Sequence, residues 1–83
     1  RGIAQMLYGQ VPDSSQEKAI EYFKKAISIA PNRIVHHFGY AQALERRGKK
    51  EEARAEYQKV LRLTATDRED RDDQREAAKA LKH

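Results

Sequence analysis

No cysteine occurs in this sequence, which removes disulfides, thiol nucleophiles and cysteine-ligated zinc together. No apolar run approaches the ~18 residues a membrane-spanning helix requires, and no signal-peptide pattern is present. A glycine-rich phosphate loop and a zinc-protease helix are missing as well. Ser14 and Ser15 sit together where helix capping accounts for one of them, and Ser28 stands alone on a helix. Neither a nucleophile with a base nor a held pair of carboxylates emerges, so no enzyme, no catalytic residue and no cofactor are expected. The compartment stays open, with the cytoplasm slightly favoured. Arg1 in place of methionine leads us to expect natural sequence upstream, where a targeting signal could lie.

What the chain does have is charge. Charged residues make up 36% of its 83 positions and hydrophobic ones 39%, a balance suited to amphipathic helices with wet outer faces. The formal charge of +4 is unevenly spread. Between Asp67 and Glu76 six acids face three arginines, leaving the remainder strongly basic. Arg33, Arg46, Arg47, Lys49, Lys50 and Arg54 gather near one expected turn, a patch that could attract phosphate. No aromatics interleave with them, however, and Lys and Arg alternate with Glu along helices as on a solvated face. Nucleic acid is not an expected partner.

The chain also repeats itself. Glu17 to Pro31 (EKAIEYFKKAISIAP) returns 34 positions later as Glu51 to Ala65 (EEARAEYQKVLRLTA). Ala19 falls on Ala53, Phe23 on Tyr57, Ala26 on Val60, Ile27 on Leu61 and Ile29 on Leu63. A period of that length is the sign of stacked helical units.

Taken in order, residues 1–9 read as the end of a helix with Ile3, Met6 and Leu7 on one side, and Pro12 holds open the loop that follows. Ser14 and Glu17 stand at the spacing of a capping box, so a helix is expected from about Ser15 to Pro31. Asn32 is the expected N-cap of the next helix, which runs to about Arg47, and Gly48 suits the left-handed residue after its end. A fourth helix covers about Lys50 to Thr64, packing Ala53, Tyr57, Val60, Leu61 and Leu63. Thr66 and Glu69 form a second capping box for a charged fifth helix, whose apolar surface is limited to Ala77, Ala78, Ala80 and Leu81.

The 34-residue step and the residues that recur on it resemble the tetratricopeptide repeat. Ala19, Phe23, Ala26 and Pro31 fall at that family's small, aromatic, small and proline positions, and Leu44, Gly48, Ala53 and Tyr57 follow in the second unit. His37, Tyr40 and Ala41 depart from it, as do Val60 and Ala65. A narrower similarity connects residues 7–32 (LYGQVPDSSQEKAIEYFKKAISIAPN) and the tail from Thr66 to Leu81 to the regulator of microtubule dynamics family. Its animal members are linked to microtubules and organelle contact sites, though no microtubule-specific motif is evident in these residues.

The resemblance implies an all-α solenoid of antiparallel helix pairs. Residues 1–14 would end an incomplete first repeat, 15–31 form its second helix, 32–65 form a full repeat, and 66–83 a polar capping helix. It also implies a concave face carrying Val35, Phe38, Gln42, Glu45 and Arg46, where a peptide or protein partner binds. With Phe38 and Gln42 at inner positions, the set departs from the Lys, Arg and Asn clamp for C-terminal carboxylates. His36 and His37 point ~100° apart on a helix, so no metal site is expected. Because short arrays bury their cores poorly, the chain is expected to continue a longer array or to self-associate through Ile3, Met6 and Leu7. The alternative to a binding scaffold is a structural cap or self-association module.

Overall fold

A computed structural model describes residues 13–82, which form four α-helices and no strand among the described residues. They are α1 (Asp13–Ile29), α2 (Ile34–Arg46), α3 (Lys50–Arg62) and α4 (Arg68–Leu81). The expected helix with Ile3, Met6 and Leu7, and the loop through Pro12, lie outside the described residues. Each junction is short, and short junctions make successive helices antiparallel neighbours. Cross-helix bonds agree: Glu17 near the start of α1 reaches Arg47 just past α2, and Arg54 early in α3 reaches the Leu81 carbonyl at the end of α4.

The apolar spacing explains what each helix buries. Ile20 of α1, Ile34, Ala41 and Leu44 of α2, Ala53, Tyr57 and Val60 of α3 and Ala77 of α4 form one core, with Phe23, Phe38, Leu63 and Leu81 packed against it. Helix α2 is the central element, because it packs on α1, α3 and α4, whereas α1 does not reach α3. Close approach of α1 depends on Gly39: a Cβ there would stand 2.3 Å from the Phe23 ring. One expectation about this core fails. Leu61, expected to pack, is 42% exposed, whereas Leu63 packs against the core; on α1 the repeat-matched Ile29 is 77% exposed.

The helix ends show which capping signals were sound. Helix α1 already contains Ser14, so Ser14 is not its N-cap. Arg33 rather than Asn32 is the N-cap of α2, and it makes no side-chain capping bond. The second capping box is shifted by one residue. Asp67 Oδ1 accepts from the Asp70 amide at 2.8 Å, while Thr66 donates its amide and hydroxyl to Asp70 Oδ2, each at 3.0 Å.

Gly48 behaves as expected, with φ at +83°. Its amide reaches the Glu45 carbonyl at 3.0 Å and the Lys49 amide reaches Leu44 at 2.9 Å, which is a Schellman ending. Nothing lies within 4 Å of a Cβ built there, so an added methyl meets only backbone strain. Gly48→Ala is therefore expected to lose about 1–2 kcal/mol, read as a lower urea midpoint with an unchanged slope.

Two further contacts dock α4. Gln74 Nε2 donates to the Val60 carbonyl at 3.1 Å and to that of Leu63 at 2.8 Å, satisfying acceptors that the end of α3 leaves open. The polar closing helix is thus more than a loose cover, since Ala77 is fully buried beneath it.

Candidate functional site

Helix α2 presents one side to the core and a second to α4. Phe38, Gln42 and Glu45 recur at four- and three-residue steps on that second side, so they line up along the helix. With Tyr57 of α3 and Glu76, Lys79 and Ala80 of α4 they line a shallow hollow of about 300 Å³. A smaller hollow of about 160 Å³ shares Glu45, Tyr57 and Ala80 with it and continues to Lys50, Ala53 and Arg54. Of the five residues expected on a concave face, Phe38, Gln42 and Glu45 come together here. Half-buried Val35 and exposed Arg46 are not among the lining residues.

The floor of the hollow is ordered by Tyr57. Its ring meets that of Phe38 edge-on, with centroids 6.0 Å apart and planes at 60°. Its hydroxyl donates to Glu45 Oε1 at 2.7 Å, fixing that carboxylate at the rim. Burial, first, and then this bond to Glu45 and the charge behind it hold the Tyr57 phenol well above its ordinary value of 10.0, against a smaller opposing effect of Arg46. The neutral phenol is the form the site is built around.

A second constellation lies between α2 and α3. His37 is buried, with Nδ1 2.7 Å from Glu56 Oε1 and Nε2 2.7 Å from the Pro31 carbonyl. A carbonyl can only accept, so Nε2 donates. Lys59 Nζ donates to Glu56 Oε2 at 3.1 Å, so Glu56 links Lys59 to His37. This chain of bonds pins the α1–α2 turn to the middle of α3. Glu56 was not among the residues expected to pack. The available signal was its register, since Ala53, Glu56, Tyr57 and Val60 share the inward stripe of α3. Tyr40 stands nearby, its phenol raised by burial and then by the charges of Glu56, Glu52 and Glu21.

No group of three or more His, Asp or Glu side chains among the described residues could hold a metal ion, and none of their helices is long and apolar enough to cross a membrane. The expected basic patch divides. Arg33 precedes α2, whereas Arg46, Arg47, Lys49, Lys50 and Arg54 cluster around its other end, separated by a helix about 20 Å long.

The family model described as "Regulator of microtubule dynamics protein 1-3" matches residues 1–83, the whole sequence. The chain belongs to that family. The match extends beyond the two stretches, 7–32 and 66–81, that carried the narrower resemblance. No curated protein and no solved structure matches it.

In this member of the regulator of microtubule dynamics family, α4 carries a concentrated negative field. Partial burial, then the charges of Glu69, Asp70, Asp72 and Asp67, push the Asp73 carboxyl above its ordinary value of 3.8. A raised folded-state value means that ionising Asp73 works against the fold. The stability tied to its neutral form is complete below about pH 3.8 and is lost as pH rises through the raised value. Asp73→Asn should therefore raise the thermal midpoint at neutral pH and leave it nearly unchanged near the acid end, as pH-resolved melting would show.

Proposed function

We propose that this chain is a protein–protein interaction scaffold of tetratricopeptide type, without catalysis of its own, that receives a peptide or partner segment between α2 and α4. What carries this proposal is the hollow lined by Phe38, Gln42 and Glu45 on one helix and by Glu76, Lys79 and Ala80 on the next but one. Contact between alternate helices, α2 with α4, while α1 stays clear of α3, fits helix pairs stacked with one helix of each pair on a common side. On this reading 15–31 is the second helix of an incomplete first repeat, 32–65 a full repeat and 66–83 the capping helix. Phe38 is half-buried in the hollow, and the polar rim offers bonds to an extended backbone, as recognition grooves do.

A photo-crosslinking residue placed at Gln42, and separately at Lys25 on the outer side of α1, tests this in cells of the source. Adducts formed at position 42 and weak or absent at position 25 are the expected result. Equal labelling at both positions would remove the assignment. A second reading, a cap or self-association module, is favoured by Tyr22 and Ile29, which stand 65% and 77% exposed on α1. Covalent dimers of the chain as the main adduct at position 25 would support that reading instead.

A further inference from the structure

His37 faces an acceptor on each side of its ring. Nε2 gives its hydrogen to the Pro31 carbonyl, 2.7 Å away, because that oxygen can only accept. A neutral imidazole carries a single N–H, so its Nδ1 would then be a bare lone pair. That nitrogen stands 2.7 Å from Glu56 Oε1, and an ionised carboxylate likewise has only lone pairs to offer. Two acceptors at hydrogen-bond distance need a hydrogen between them. The contact therefore holds one proton more than a neutral histidine and an ionised glutamate bring to it. The count is the same with the proton on Nδ1 or on Oε1, since so close a pair titrates as a unit. The two side chains are only 7% and 10% exposed, which leaves little water to stand in for that bond.

Charged groups on three helices surround the pair. Lys59 Nζ, on α3 itself, reaches Glu56 Oε2 at 3.1 Å and is half exposed. Tyr40 of α2 faces Glu56 too, as well as Glu52 of α3 and Glu21 of α1. Burial, then those three charges, hold its phenol above its ordinary value of 10.0, so it stays neutral while the pair titrates. His36 lies ~100° around α2 from His37. Helix α4 makes its hydrogen bonds to α3 elsewhere, at Arg54, Val60 and Leu63.

We infer that one proton held between His37 Nδ1 and Glu56 Oε1 latches the α1–α2 turn onto α3, and that its departure at raised pH loosens α1 from the other helices. Helix α1 is the element at stake because it packs on α2 and on no other described helix. The Pro31 carbonyl just past its end is tied to α3 through this pair. An unfolded chain gives up the same proton near the ordinary histidine value of about 6.5. The stability supplied by the latch is thus complete below about pH 6.5 and is lost as pH rises through the folded pair's own value. Between those two values the folding constant falls by at most about tenfold per pH unit. The latch stands apart from the scaffold proposal and does not depend on it.

Glu56→Gln separates the proton from the packing. Its amide N–H can serve a neutral Nδ1 while its carbonyl serves Lys59, with no extra proton required. Urea unfolding of the whole chain and of this variant, from about pH 6 to about pH 9, reads the difference. The parent's folding constant should fall at least about tenfold relative to the variant's over that range. His36 and the other exposed groups titrate in both chains and cancel from the ratio. Native-state hydrogen exchange of the parent should quicken in α1 more than in α3 over the same range, once corrected for intrinsic rates.

Parallel pH profiles in the two chains would overturn the inference. So would a parent whose α1 and α3 amides lose protection equally. If the variant does not fold, the ring spectrum of the parent decides. A far-downfield proton bonded between His37 and Glu56 at neutral pH supports the latch. Nε2–H as the one proton on the pair would overturn it.

Discussion

Glu56→Leu is expected to remove about 1–3 kcal/mol of folding stability, the cost of leaving a buried hydrogen-bonding group without its partner. Glu56 meets His37 at 2.7 Å and accepts from Lys59 at 3.1 Å, and His37 in turn holds the Pro31 carbonyl. Deleting the carboxylate strands a buried ring nitrogen and loosens the grip of α3 on the α1–α2 turn. His37→Leu alone should cost less than Glu56→Leu, because Glu56 keeps Lys59. Pairing the two leucines should recover part of the loss, since two apolar groups of suitable shape leave no buried group unsatisfied. A double-mutant cycle by urea unfolding measures this coupling. Strictly additive losses would mean that the two side chains meet in the fold without depending on each other.

Leu44→Ala is the second large effect. Leu44 is 1% exposed and belongs to the core that joins α2 to α1, α3 and α4. Truncating a fully buried leucine costs about 2–5 kcal/mol, according to how far the site can collapse. A small domain is stable by about 5–15 kcal/mol in total, so this change takes a large share and should lower the urea midpoint steeply. Leu61→Ala is the matched control. The 34-residue match placed Leu61 among the packed positions, yet its 42% exposure puts its expected change within about 0.5 kcal/mol. Equal losses at Leu44 and Leu61 would contradict the packing described.

These two leucines show where sequence periodicity was informative and where it was not. A three- and four-residue step identifies a face, and Ala53, Tyr57 and Val60, expected to pack, are buried along with Leu44. It cannot fix how wide that face is, because width depends on how many neighbours a helix has. With α1 and α3 out of contact, the positions of Ile29 and Leu61 at the edges of their stripes stay in water.

The caps of α2 and α4 were legible to within a residue. Gly48 was clear because only one residue type suits φ of +83° after a helix. Asn32 and Thr66 were not, because several polar residues adjoin each helix start and the winning cap depends on the path of the preceding turn. Arg33 and Asp67 take those places. At the candidate site, Phe38, Gln42 and Glu45 were legible as one stripe. Tyr57, Glu76, Lys79 and Ala80 were not, since they arrive from other helices by tertiary packing.

The most direct measurement is partner capture and urea unfolding on the same preparation of Gln42→Arg. Gln42 lines the hollow and is half-buried. A long charged side chain placed there should block an incoming segment while leaving the unfolding free energy within about 0.5 kcal/mol of the parent. Loss of the partner cross-linked at the hollow's edge, with that stability preserved, is the result the scaffold proposal requires. Undiminished capture by a folded Gln42→Arg chain would contradict it, and would leave the space between α2 and α4 as packing alone.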